Sequence, residues 1–388
     1  MTLSATRRTI LLTMAVFALH PLSFGAWLAL IPEVKAILNL NKAELALALL
    51  GMPVAVIPTL QLASRIIPRV GPRRLLMVGF AAQPGVAILP FIADGQRGLF
   101  VALLAVGFVM AFMQVALNVY AGRLEKQLGV TIMSRCHGLW ALGLMTGSFC
   151  VTFFVANGLI TAELMIAVPS AVAGIIVARA MTPLRGANDG GLPPPRRKLH
   201  QMPAALFAIS IFALAVAMTE GAMSDWAAIY MAERLPPGAT TAGLAVTAYA
   251  ACLAAGRLLG DAAKRWLGAV GLARVTLCLA ILGLLILQLP LPIGFAYAAF
   301  GLIGLGVSVG FPLGVSAAAA LDDVHEGANI AIMSSVAICG FLFGPPLIGF
   351  LAEAFTLGVG LLALLPGLIA GLWLCGALAP AESTDSTK

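Results

Sequence analysis

Residues 187–198 read Ala187-Asn188-Asp189-Gly190-Gly191-Leu192-Pro193-Pro194-Pro195-Arg196-Arg197-Lys198, within the longest polar stretch of the chain. Gly and Pro punctuate it and three basic residues close it, the composition of a flexible linker whose charge suits anionic lipid head groups. It lies midway along 388 residues, and both flanks are apolar: 61% of the chain is hydrophobic and only 10% charged, with a mean hydropathy of +1.02. Soluble domains carry roughly 25% charged residues, and a water-facing surface this apolar would aggregate. A bilayer is the solvent that suits such a chain. One crossing takes about 20 residues, so each side of the linker has room for six.

Apolar runs bounded by charge or by Pro/Gly clusters predict twelve membrane helices, near 9–31, 43–63, 74–93, 98–119, 136–158, 162–180, 204–231, 241–259, 271–290, 293–318, 328–352 and 355–378. Between the ninth and tenth, Pro290-Leu291-Pro292 is the only break. Of the 23 Lys and Arg, 19 then fall on the side of the N-terminus and four (Lys35, Lys42, Arg97 and Arg234) on the other. Cytoplasmic loops concentrate positive charge in this way. Both termini are therefore expected in the cytoplasm, with the chain in the cytoplasmic (bacterial inner) membrane. The run after Arg7-Arg8 imitates a signal peptide, but more apolar helices follow and it reads as the first crossing. The expected fold class is all-α, twelve transmembrane helices as two pseudo-symmetric six-helix bundles. Residues 1–181 and 203–388 form the bundles and 182–202 the cytoplasmic basic linker.

The two parts echo each other. Gly143-x-x-x-Gly147 in helix five matches Gly340-x-x-x-Gly344 in helix eleven at an offset of 197, and Trp27 in helix one matches Trp226 in helix seven at 199. Basic segments follow helix two (Arg65 to Arg74) and helix eight (Arg257 to Arg265). Small-xxx-small pairs are common in membrane helices, but the combination points to a duplicated six-helix unit, as in transporters built from parallel repeats.

Six plus six helices with these basic segments resemble the major facilitator superfamily over essentially the whole chain. That family's motif after helix two, G-x-x-x-[D/E]-[R/K]-x-G-[R/K]-[R/K], is met in part by Arg69, Gly71 and Arg73, with Ser64 and Pro68 replacing the first glycine and the acid, Pro72 at the first closing basic position, Arg65 at an open position and Arg74 just beyond. Gly256-Arg257-Leu258-Leu259-Gly260-Asp261 is similar to the second copy in relatives of the fucose permease. His137-Gly138-Leu139-Trp140 and Glu220-Gly221-Ala222-Met223-Ser224-Asp225-Trp226 resemble a bacterial branch near that permease. The resemblance implies a cavity between the bundles lined by helices one and seven, and conformational roles for the loop-motif residues Arg65, Gly71, Arg73, Arg74, Gly256, Arg257, Gly260 and Asp261.

A charge at the bilayer centre costs about 2.5–3.5 kcal/mol on insertion scales, so an ionisable side chain there faces a cavity and has a task. Glu220 lies halfway along helix seven among apolar neighbours, with Asp225 and Trp226 one to two turns nearer the outside. A carboxylate so placed suits reversible protonation or substrate binding; the alternative is a Glu held structurally by hydrogen bonds. His20, followed by Pro21, lies at a similar depth in helix one and could face Glu220 as a proton shuttle, or bond to a carbonyl freed by the proline. Gln114 and Asn118 share a face of helix four and suit a hydroxylated solute or helix packing. His137 opens helix five at the cytoplasmic mouth. Trp27, Trp140 and Trp226 offer stacking faces, or for Trp27 and Trp226 an interfacial belt. Helices three, six, nine and twelve are expected at the lipid-facing periphery, with Gln83 and Gln288 but no interior acid or base, leaving intramembrane charge and histidine to helices one, five and seven. Gly340, Gly344 and Pro345 are expected to interrupt helix eleven as a bend for rocking.

The net charge of +7 is too scattered for nucleic acid. Six cysteines without a CxxC pair suggest neither disulfide nor zinc. None of the six lysines precedes Ser or Thr, so no ATP-binding Walker motif is present, and four distant histidines make no metal or nucleophile constellation. No enzyme activity, cofactor or metal is expected. The expected function is secondary active transport of a small, sugar-like or otherwise polar organic solute by alternating access, coupled to protons, by a monomer in the lipid bilayer. A proton/drug antiporter and a non-transporting sensor with the same fold are the alternatives.

Overall fold

A computed structural model describes residues 3–184, 202–236, 239–322 and 325–379. The central basic stretch and the C-terminal tail, where the linker and several of the basic residues were expected, lie outside the described residues.

The described residues are helical almost throughout, as a bilayer demands, because lipid offers no partner for an open backbone N–H or C=O. Helix one is Leu3–Leu19 and Leu22–Ile37, broken at His20-Pro21. Helix two is Lys42–Leu49 and Gly51–Val70, and helix three Pro72–Ala87 with a short 3-10 end, Leu89–Ile92. Helices four, five and six are Gln96–Leu128, Met133–Val151 and Leu159–Ala180. Helix seven is Ala204–Ala232. Leu244–Ile286 is one helical run that turns at Gly268 (φ 70°, ψ 172°) and comprises helices eight and nine. Helix ten is Ile293–Val307 and Gly310–Ala319, helix eleven Glu326–Ala354, and helix twelve Leu357–Leu362 and Leu365–Leu374.

Ten stretches of the described residues are long and apolar enough to cross a membrane. Dividing Leu244–Ile286 at Gly268 and adding helix five gives the twelve expected. The division follows from packing against helix ten. Gly304 sits on Tyr249 and Gly256 meets Ser308, so helix eight runs parallel to helix ten; Gly306 meets Ala280 and Gly283 meets Ile303 and Ala299, so helix nine runs antiparallel. The positive φ that reverses the chain between them favours glycine. Several helices outrun their apolar cores: helix four was expected to stop near 119 but continues through Arg123 and Lys126 to Leu128.

The outer surface is apolar. Trp373 is 85% exposed and Phe343 and Ile176 are each 63% exposed, the reverse of a soluble protein and the arrangement lipid favours. Helices one to six pack chiefly on one another and seven to twelve likewise, and the contacts between the two sets run mainly through helices five and eight, two and eleven, and one and seven. A Cβ on Gly143 or Gly147 would strike the carbonyl oxygens of Ala18 and Leu22, so helix five lies tight on helix one; a Cβ on Gly340 would meet Leu214 and Met218, so helix eleven lies on helix seven. The two GxxxG motifs thus do the same task on paired helices. Helix eleven itself is not interrupted: Pro345 and Pro346 lie within the continuous Glu326–Ala354, which corrects the expected break.

Candidate functional site

Between the two sets of helices lies a cavity of about 360 Å³. Helices one, two, four and five line it from one side, and helices seven, eight and eleven from the other. Its polar lining is short: His20, Gln114, Trp140, Glu220, Ser224, Asp225 and Tyr249, set among Phe24, Met52, Met110 and Phe341. An apolar pocket with a few converging polar groups is the general form of a small-molecule site.

Helix one delivers His20 to this cavity at its break, where Pro21 ends the first segment. His20 is 1% exposed, and its Nδ1 accepts a hydrogen bond from Trp140 Nε1 at 3.2 Å. Its expected partner was Glu220. Both line the cavity, but Glu220 is engaged elsewhere: Arg257 Nη2 donates to both its oxygens, at 2.8 and 3.1 Å, with side-chain exposures of 10% for Arg257 and 15% for Glu220. Glu220 is thus an ion-paired carboxylate, not one among apolar neighbours. Arg257 had been assigned to a cytoplasmic loop motif, but it lies within helix eight, and its Nε also donates to the Ser308 carbonyl at 3.4 Å. The apolar run Ala254-Ala255-Gly256-Arg257-Leu258-Leu259 carried that signal in the sequence.

Asp225 lines the same cavity with no hydrogen-bond or ionic partner among the described residues. The Tyr249 hydroxyl, which sequence reading missed, is also buried there without one. Gln114 Nε2 donates to Asn118 Oδ1 at 3.3 Å, confirming the shared face; Gln114 reaches the cavity and Asn118 supports it from the next turn.

Other candidates lie apart. Trp27 packs edge-on against Phe91 (ring centroids 5.9 Å apart) and Trp226 is fully buried beside Gly349, so neither lines the cavity nor forms an interfacial belt. His137 borders a separate space of about 280 Å³ with Arg257, Gly260 and Asp261, its ring edge-on to Phe17. In the loop motif, Arg73 donates to the carbonyls of Ala178 and Arg179, at 3.0 and 2.6 Å, capping helix six. Gly71 makes the turn between helices two and three with φ 83°. Arg65 and Arg74 are exposed. Intramembrane charge is not confined to helices one, five and seven: besides Arg257 on helix eight, helix six carries Glu163, 1% exposed, where no interior acid was expected.

The end of the molecule carrying Lys42 is pinned shut. Lys42 Nζ pairs with Glu233 Oε1 at 2.9 Å, and the Lys42 amide donates to Glu353 Oε2 at 2.9 Å, joining helix two to helices seven and eleven.

No family model matches the chain. It is similar to an uncharacterised transporter of Sinorhizobium fredii (27% identical over 378 residues, 92% of this chain and 96% of the relative). The membrane protein MosC of Rhizobium meliloti is 28% identical over 349 residues (89% and 84%), and an uncharacterised MFS-type transporter of Yersinia pestis 27% over 357 residues (91% and 92%). Among solved structures, the nucleoside transporter NupG in a D323A form has a TM-score of 0.72 at 11% identity, covering 95% of this chain and 98% of that one. A bacterial homologue of the human lysosomal transporter Spinster, inward-facing and unoccupied, gives 0.65 at 13%, covering 97% and 95%. The helices and their order and the cavity between the two sets agree with these likenesses: the chain has the fold of major facilitator transporters and is similar in sequence, over about nine-tenths of its length, to proteins described as transporters.

Proposed function

We propose that this transporter moves a small polar organic solute bearing a ring or other stacking face, by alternating access coupled to protons. The observation that carries the reading is the unpartnered Asp225 carboxylate in the cavity, one to two turns from the Glu220–Arg257 pair. A solute donating to Asp225 would be held by Gln114 and Tyr249 and stack on Trp140, all of which line the same cavity. Protonation of Asp225 would cancel that attraction, which is the linkage a coupled carrier needs. Glu220, the acid expected to carry the proton, acts here with Arg257 as a pair that a solute can open. In this reading 1–181 and 203–388 move as two bundles about 182–202, both termini are cytoplasmic, and the monomer is the working unit.

The cavity walls are mostly apolar, and with Asp225 they would also suit a lipophilic cation, so antiport of such a compound is the second reading. Thermal stabilisation of the purified protein separates the two, screened with sugars, nucleosides, carboxylates and lipophilic cations. A ligand of the folded form raises stability by about 2.7 kcal/mol at a hundred times Kd. The first reading expects a sugar or nucleoside shift that Asp225→Asn abolishes. A shift from lipophilic cations alone would replace it with the second. Stabilisation by a solute with no uptake into proteoliposomes under any proton gradient would make the fold a sensor.

A further inference from the structure

A second space, of about 10 Å³, lies inside the first six helices, bordered by Ser23, Trp27, Gln83 and Glu163. Phe24 and Met110 line both it and the central cavity, so a wall of two side chains separates them. Ser23 Oγ donates to Glu163 Oε1 at 2.5 Å. Glu163 Oε2 receives no hydrogen bond from any described residue, and neither does Gln83 Oε1. Gln83 Nε2 donates to the carbonyl of His20 at 3.3 Å, at the break of helix one, and the His20 ring accepts from Trp140 in the cavity. Glu163 and Gln83 are each 1% exposed.

The geometry points to Glu163 as a proton-binding site built behind the break of helix one, outside the solute cavity. Two buried acceptor oxygens face one small space with no donor assigned to either. A proton on Glu163 Oε2 supplies that donor, turning the carboxylate into a neutral acid; its departure restores the carboxylate, and no other bond forms or breaks. A metal cation is the weaker fit, because Trp27 Nε1–H, which also lacks a partner, borders the space as a donor that cannot ligate one.

The titratable groups nearest along the packed elements are His20 and Glu33 on helix one and Cys150 on helix five. Arg73, from helix three, reaches helix six at the carbonyls of Ala178 and Arg179, about 22 Å or more along the helix from Glu163. Arg179 lies beyond that, and Arg135, Cys136 and His137 open helix five. Glu163 makes no described hydrogen bond or ion pair with any of them. Proton occupancy at Glu163 stands without the transport reading; its use in coupling rests on that reading.

The test uses the full chain in lipid and protons alone. Infrared difference spectra are recorded on lowering the pH, for wild type, Glu163→Gln and Ser23→Ala. The expected result is a protonated-carboxyl C=O band in wild type that Glu163→Gln removes. Ser23→Ala should move it to higher frequency, because the carbonyl loses its hydrogen bond. Identical spectra for wild type and Glu163→Gln would overturn the assignment. So would a band that added Na⁺ abolishes at fixed pH, which would make Glu163 a cation ligand. Should Glu163→Gln not fold, a band unmoved in Ser23→Ala overturns it equally. Because no solute is present, this result is independent of the ligand screen.

Discussion

At the scale of single residues the controlling feature is the Glu220–Arg257 pair, mostly withdrawn from solvent. Removing one member of a buried pair leaves a charge without a partner and costs about 3–5 kcal/mol, whereas replacing both by apolar groups of similar volume is often neutral or better. Arg257→Met should therefore lower the thermal unfolding temperature sharply, and adding Glu220→Leu should restore most of the loss. Unfolding of the two variants side by side checks this. Equal losses would mean that the pair contributes through packing rather than charge. Glu220 was legible in the sequence because an acid amid apolar residues stands out. Its partner was not, because 37 residues separate the two and only the packing of helix eight against helix seven joins them. Trp27 and Trp226 were misplaced for a related reason: a depth along a helix can be counted from the sequence, but which way the face turns depends on the neighbours. Glu163 was missed because it lies near the start of its helix, where sequence reading expects a polar boundary rather than a buried acid.

At the scale of elements, the twelve crossings were readable from apolar runs because each must cover the same hydrocarbon thickness. Their ends were less so, since a helix continues into the aqueous boundary as long as its backbone bonds are made. The GxxxG motifs, legible in the sequence as a mark of duplication, prove to be where helices touch. Gly143 lets helix five approach the Ala18 carbonyl, immediately before the break that presents His20. A larger side chain there must push the two helices apart, and overpacking of this kind typically costs about 1–3 kcal/mol. Gly143→Val should thus destabilise the protein and also disturb the Trp140–His20 hydrogen bond, because Trp140 lies one turn away on the same helix. Gly122→Val provides the control, since a Cβ there meets nothing. Thermal unfolding together with tryptophan emission distinguishes a specific effect at the helix one–five contact from a general intolerance of valine.

At the scale of the whole molecule, the contacts between the two sets of helices obey the internal pseudo-symmetry. Helix five against helix eight becomes helix eleven against helix two when each is exchanged for its counterpart, and both contacts are present. The Lys42 end carries ionic ties: Lys42 to Glu233, and the Lys42 amide to Glu353. Opening that end must break them, so they bias the balance between open and closed forms. The Lys42–Glu233 pair is partly exposed, at 20% and 40%, and such pairs contribute up to about 1 kcal/mol, roughly a fivefold change in a two-state ratio. Lys42→Gln should shift the population by at most that factor towards opening, and added salt should do the same to wild type while leaving the variant largely unmoved. Spin labels at Ile37→Cys and Phe355→Cys, both exposed positions flanking the closed end, report the separation directly. A longer-distance population that grows in Lys42→Gln, and grows with salt only when Lys42 is present, is the expected result. If the distances stay unchanged in both, the closure is held by the apolar contacts of Gly349 with Ala46 and Trp226, and the ion pair only decorates it.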